Sequence, residues 1–186
     1  LYLLKEPLAL HIFSLIALGY AAKKTIRASA AKKLKERIAL VRQWTHAHMV
    51  EIACITSIAV YWVISMRSPL NIGIRHMLPT FPFIYILVAR TISDWLHSRT
   101  VTDPKTFREW LMGIWEIFIS SIPKYFLAGI LLLWLIVSTI AAAPSFLSYY
   151  NELIGTRHGY MIAVDSNYDW GQDFVRLVQY VERQKI

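Results

Sequence analysis

The sequence predicts an all-α, polytopic membrane helical bundle of about four spans, with one helix lying in the interface and a short extracytoplasmic tail. Three observations carry this. Of 186 residues, 56% are hydrophobic and only 17% charged, with a mean hydropathy of +0.42, an oilier balance than the about 25% charge of a soluble domain. Several stretches are nearly free of charge over the length a helix needs to cross about 30 Å of hydrocarbon. The basic residues gather in a connector rather than being spread over a surface.

The spans are taken in chain order. Residues 8–22 form the first, short but extendable around Pro7 by the leucines at positions 1, 3 and 4. Residues 49–66 form the second, with Glu51 near one end, where it reaches the interface. The third, 77–92, contains Pro79 and Pro82 and carries Arg90 near its far end; membrane helices accept proline where neighbours satisfy the freed carbonyls, and a terminal arginine snorkels. The fourth, 126–143 ("FLAGILLLWLIVSTIAAA"), has no charge at all. Between the last two lies "TFREWLMGIWEIFISSI", residues 106–122, in which Glu109, Gly113, Glu116 and Ser120 share one helical face and Trp110, Trp115 and Phe118 fill the rest. That pattern predicts an interfacial helix with tryptophans at headgroup level, since two glutamates facing the bilayer centre are costly.

Charge sets the orientation. The connector "KKTIRASAAKKLKERIALVRQ" holds eight Lys/Arg against one acid, Glu36, and short loops this basic stay in the cytoplasm. Nucleic-acid or anionic-lipid binding is the alternative for this loop, but a loop flanked by two spans is explained more simply by topology. Alternation then places loop 23–48 inside, "RSPLNIGIRH" outside, 93–123 inside, and the tail 144–186 outside. The proposed inner segments with boundary residues Arg90 and Lys124 carry 13 Lys/Arg and 5 Asp/Glu, whereas the tail carries 4 and 5. In that tail Phe174, Leu177, Val178 and Val181 recur at i, i+3, i+4, i+7, predicting a short amphipathic helix over 174–184 with Asp173 or Gln172 at its cap. The chain opens on Leu1 without a signal peptide and is expected to be part of a longer protein.

Two polar patches interrupt the oil. In "LNIGIRHMLP", Arg75 and His76 stand at the outer mouth of the third span, with Asn71 just before them. A guanidinium offers a planar fork of donors suited to phosphate, although an arginine that snorkels to headgroups has the same placement. The second patch, "VDSNYDWGQD", contains Asp165, Asn167, Asp169, Trp170, Gln172 and Asp173. The alternation of Asp165, Asn167, Asp169, Gly171 and Asp173 is similar to a calcium loop, but Trp170 stands where the turn glycine belongs and Arg176 where the bidentate acid belongs. The EF-hand match therefore fails in two places and no metal ligand set is assigned, with another divalent-cation site left open. The same residues suit a capping turn, or a sugar pocket in which carboxylates and amides accept hydroxyls beside an indole face. His46 and His48 point to different helix faces and make a poor metal pair. The single cysteine, Cys54, excludes an intrachain disulfide.

The two motifs "LNIGIRHMLPTFPFIYIL" and "YYNELIG…HGYMIAVDSNYDWGQDFVRL", over roughly residues 50–181, resemble the C-terminal half of bacterial membrane glycosyltransferases of the GT-C class, similar to the protein mannosyltransferase (family 39) group. The resemblance implies a multi-span enzyme of the bacterial inner membrane, which moves a sugar from a polyprenyl-phosphate carrier to an acceptor on the extracytoplasmic side. In that group the catalytic aspartate lies in the first outer loop, which this chain is not expected to contain, so no catalytic residue is assigned. The resemblance gives Arg75 and His76 the carrier phosphate and the tail cluster the acceptor or sugar pocket. The competing expectation is a non-enzymatic membrane protein, a transporter segment or scaffold; a transporter favours ionisable groups at the midplane of its spans, whereas here, His11 apart, they gather at the ends.

Overall fold

The structure, a computed structural model, describes residues 1–29, 34–67, 73–98, 106–155, 158–162, 171 and 173–185. Every regular element among these residues is helical. A single turn, α1 (Tyr2–Lys5), stops at Glu6, which is extended (φ −99°, ψ 144°) because the ring of the following Pro7 disfavours a helical residue before it. The chain restarts as α2 (Leu8–Ser29), with the Pro7 carbonyl accepting from the Leu10 and His11 amides at 3.0 and 3.4 Å. Helices α3 (Leu34–Ala47) and α4 (Met49–Arg67) follow, separated by His48 alone. Two 3-10 turns, Gly73–His76 and Leu78–Thr80, lead into α5 (Phe81–Leu96), whose first turn holds Pro82, where a missing N–H is harmless. Helix α6 (Phe107–Ala142) has 36 residues, about 54 Å of axial rise. It opens on a Thr106–Glu109 capping box, in which the threonine side chain accepts from the Glu109 amide at 3.3 Å. Helix α7 (Phe174–Gln184) closes the chain.

Four helices pack in the order α4, α5, α2, α6. The core runs along one stripe of α2, Ala9, Phe13 and Ala17, against Ile92 of α5 and Ala128 and Leu131 of α6. Alternating small and large residues at i, i+4, i+8 lets the backbones approach while Phe13 fills the gap between them. Helices α2 and α5 run in the same direction: the rings of Tyr2 and Phe81 meet at one end, 5.4 Å apart, and Lys24 pairs with Asp94 at the other, 3.3 Å apart. Helix α4 runs opposite to α5, since Trp62 donates to Thr80 at the first end (3.1 Å) and Glu51 pairs with Arg90 at the second (2.7 Å). Helix α6 is likewise opposed, with Lys124 Nζ reaching the Trp95 carbonyl at the second end (3.1 Å).

The accessible surface, 14032 Å², is well above the about 9,200 Å² expected of a compact soluble protein of this mass. Much of the excess is apolar. Ile55, Val60 and Ile64 of α4 and Leu132, Leu133 and Ile140 of α6 are more than half exposed. Two segments, Met49–Arg67 and Ser121–Ala142, are long and apolar enough to cross a membrane.

The expected elements shift in three places. The first span, expected over 8–22, continues helical to Ser29, because Lys, Thr, Arg and Ala sustain a helix after the apolar run ends. The third, expected to begin at 77, begins as an α-helix at Phe81, since Pro79 and Pro82 tighten the preceding residues into a 3-10 turn. The interfacial helix 106–122 and the span 126–143 are not separate elements. They are two halves of α6, with Pro123 in its interior; proline removes one backbone donor there without ending the helix.

Candidate functional site

At the first end of the bundle the chain's beginning and its tail are knotted together. Lys5 ends α1 and Glu6 follows it ahead of α2, and residues 143–155 leave α6 and fold back across that junction. Asn151 is completely buried. Its backbone amide donates to the Leu4 carbonyl at 2.8 Å, and its side-chain nitrogen donates to the Leu3 carbonyl at 2.7 Å and the Glu6 carbonyl at 3.0 Å. These are carbonyls that α1 cannot satisfy itself, because Pro7 interrupts the helix and offers no N–H. Lys5 Nζ donates to the Leu147 carbonyl at 2.8 Å and lies over the Tyr150 ring, 4.0 Å from its centroid. Tyr150 in turn packs against Gly159, where a Cβ would stand 2.1 Å from the tyrosine ring, so a glycine is required for this approach.

Glu152 joins three elements. Its Oε2 accepts from the Leu8 amide at the start of α2 (3.2 Å), and its Oε1 accepts from Trp134 Nε1 of α6 (2.8 Å) and from the Ser138 hydroxyl. A carboxylate at a helix N-terminus meets unpaired N–H groups and the positive end of the helix dipole. Burial alone would raise the Glu152 carboxyl, but donors from Ser138, from the Glu152 and Leu8 backbone and from Trp134 outweigh it and hold the group below its ordinary range. Glu6 has the opposite balance: burial raises it, and the single donor Tyr85, 3.0 Å from both carboxylate oxygens, only partly offsets this. Burial also lowers Lys5 to about 8. The Tyr149 phenol is pushed up to about 12 by burial and by the Glu152 charge. Its oxygen is buried without a hydrogen-bond partner.

The sequence-predicted residues fall around this knot unevenly. Arg75 and His76 lie in the 3-10 turn Gly73–His76, with His76 exposed and the Arg75 side chain outside the described part. That turn leads to Thr80, and through Trp62 and Phe81 to the Tyr2 ring, 5.3 and 5.4 Å away, so it stands at the knotted end. Asn71, Asp165, Asn167, Asp169, Trp170 and Gln172 lie outside the described residues. Asp173 occupies the N-cap position of α7 but makes no side-chain cap bond there; its carboxylate pairs with Arg176 at 2.9 Å instead. Gly171 has φ +76°, the left-handed conformation that the turn ahead of α7 needs. Among the described residues no group of three His, Cys, Asp or Glu side chains is placed to hold a metal. His48 bonds the Trp44 carbonyl (2.9 Å) and stacks on that indole (4.6 Å), which gives it a local structural role.

Lys5, Glu6, Tyr85, Ser138, Asn151 and Glu152 carry the site, yet none stands out in the sequence. The one available signal is the charged pair Lys5–Glu6 ahead of a proline at the head of an oily helix, together with the acid inside "YYNELIG".

No family model, curated protein or solved structure matches this chain.

Proposed function

We propose that this chain is the C-terminal portion of a GT-C type membrane glycosyltransferase similar to the protein mannosyltransferase group. It takes a sugar from a polyprenyl-phosphate donor and passes it to an acceptor on the extracytoplasmic side of a bacterial inner membrane. In this reading α2, α4, α5 and the second half of α6 are the four spans, loop 23–48 faces the cytoplasm and the tail 144–186 faces outward.

One observation supports the reading above the others. The tail is tied by Asn151 and Glu152 to the same bundle end that carries Gly73–His76. Phosphate-binding and sugar-binding groups have to meet at one face for glycosyl transfer, and the alternating helix directions agree with the sidedness inferred from charge. Arg75 and His76 would hold the donor phosphate as the bond between the anomeric carbon and the phosphate oxygen breaks and negative charge grows on the leaving group. Asn71, Asp165, Asn167, Asp169, Trp170, Gln172 and Asp173 would bind hydroxyls of sugar or acceptor. The proton released by the acceptor hydroxyl passes to a base outside this set. The knot keeps the tail seated, positioning the pocket without touching the reacting atoms.

The test is donor kinetics of Arg75→Ala in the full-length protein in proteoliposomes. Loss of a charge-assisted phosphate contact should raise KM for the lipid-linked donor about tenfold or more, with the acceptor KM little changed. Unaltered donor kinetics would remove the phosphate role and favour a non-enzymatic scaffold or transporter segment in which Arg75 only anchors headgroups.

A further inference from the structure

Away from the knot, at the second end of the bundle, α5 and α6 diverge around an open cleft of about 560 Å³. One wall is the end of α5, Leu96 and His97. The other is a stripe of α6 in which Phe118, Ile122 and Phe126 recur at i, i+4, i+8 beside Ser121 and Tyr125. Such a stripe runs about 12 Å along the helix. Its side chains gain little cover from the protein itself: Phe118, Ile122 and Phe126 are 65%, 57% and 68% exposed. The cleft straddles Ser121, where the apolar stretch Ser121–Ala142 begins, so it opens at the depth where hydrocarbon gives way to headgroups.

Polar groups edge the cleft on one side. Lys124 crosses from α6 to the end of α5, its ammonium donating to the Trp95 carbonyl (3.1 Å) and Ser98 Oγ (2.8 Å) and lying 5.6 Å from the Trp95 ring centroid. His97 bonds the Ser93 carbonyl through Nδ1 at 2.8 Å, which makes Nδ1 the donor and leaves Nε2 as the edge able to turn outward. Its ring meets Tyr125 edge-on, centroids 6.4 Å apart. Two acids at this end, Asp94 and Glu51, are already paired with Lys24 and Arg90, and the loop 23–48 at this end holds eight Lys/Arg against one acid. An apolar slot with a basic rim, opening sideways at interface depth, matches a lipid whose chain is greasy and whose headgroup is negative.

We propose that this cleft binds one acyl chain of an anionic phospholipid of the cytoplasmic leaflet, with the lipid phosphate against Lys124. The proposal rests on the membrane reading and its sidedness and is independent of glycosyl transfer. Bound lipid would fill the space between α5 and α6 and stiffen the junction around Pro123, from which the first half of α6 projects.

Trp95 is the natural reporter. The full chain is placed in phosphatidylcholine nanodiscs containing, at equal mole fraction, either dibrominated phosphatidylglycerol or dibrominated phosphatidylcholine, and the Trp95 signal is isolated by difference from Trp95→Phe. Phosphatidylglycerol should quench Trp95 as though enriched about fivefold, the preference one basic side chain confers at a membrane surface. Ser121→Phe, which fills the slot, should abolish that excess; Lys124→Gln should reduce quenching to the phosphatidylcholine level while helicity by circular dichroism is unchanged. Equal quenching by the two lipids in the native chain, or an excess that survives in a folded Ser121→Phe protein, overturns the proposal. So does displacement of the brominated lipid by polyprenyl phosphate that added phosphatidylglycerol does not reverse, which assigns the slot to the carrier chain. If alkaline carbonate strips the chain from vesicles, the membrane reading itself has failed and the proposal with it. If the chain resists carbonate and neither lipid quenches Trp95, only the cleft has failed.

Discussion

The two ends of the helical bundle are held by different physics. At the knotted end, a fully buried asparagine and a carboxylate with donors from two helices join elements more than 140 residues apart. At the opposite end the helices meet through two ion pairs: in Lys24–Asp94 the side chains remain 61% and 51% exposed, whereas the Glu51 side chain paired with Arg90 is 13% exposed. A buried polar group that loses its partner pays the full desolvation penalty, whereas an exposed ion pair gives up its contact to water for little. The first end is therefore held by groups that are costly to unpair, whereas the Lys24–Asp94 contact at the second is cheap to break.

The comparison breaks most sharply at Asn151. Asn151→Leu leaves the Glu6 carbonyl without its buried donor and the Leu3 carbonyl with only the His11 ring contact at 3.2 Å, and should cost about 2 kcal/mol, read as a large drop in thermal unfolding temperature in detergent. Next is Glu152→Gln, which keeps the shape but loses the charge. The loss should be about 1 kcal/mol, low for hydrogen bonds to a charged group because the carboxylate is partly exposed.

The pH dependence of the two carboxyls sharpens this further. The depressed Glu152 contributes stability that is present above the ordinary carboxylate range and is lost as pH falls through its folded value. The elevated Glu6 contributes stability that is complete below the ordinary range and is lost as pH rises through its folded value. Acid melting curves should therefore flatten in Glu152→Gln, while Glu6→Gln should match or exceed the parent at neutral pH because no buried charge remains to desolvate. The smallest effect belongs to the other end: Lys24→Ala should change stability by no more than about 0.5 kcal/mol. A loss there as large as that of Asn151→Leu would erase the distinction between the ends.

Local chemistry in the sequence reaches the helices but not the knot. Residues 49–66 are read as a span from an unbroken apolar run, and the helix found is Met49–Arg67; the i, i+3, i+4, i+7 pattern after Asp173 gives Phe174–Gln184. These features are set by neighbours in sequence. The start of α5 is displaced because prolines specify turns as readily as helix starts. The unity of α6 is missed because Pro123 and Lys124 read as a boundary, although Lys124 in fact reaches sideways to the end of α5. Lys5, Glu6 and Glu152 belong to no motif that the sequence sets apart. Nothing near Lys5 announces the Leu147 carbonyl, 142 positions away. Of the candidate site, the arginine turn at Gly73–His76 is legible from its residue types, while the strap that ties the tail to the same end is written only in the packing.

The strap also dictates an order of birth. The Leu8 amide and the Leu3, Leu4 and Glu6 carbonyls are synthesised more than 140 residues before their partners at positions 151 and 152. Until those partners arrive, these groups must be met by water or by other protein, so this end of the bundle closes only after the intervening helices exist.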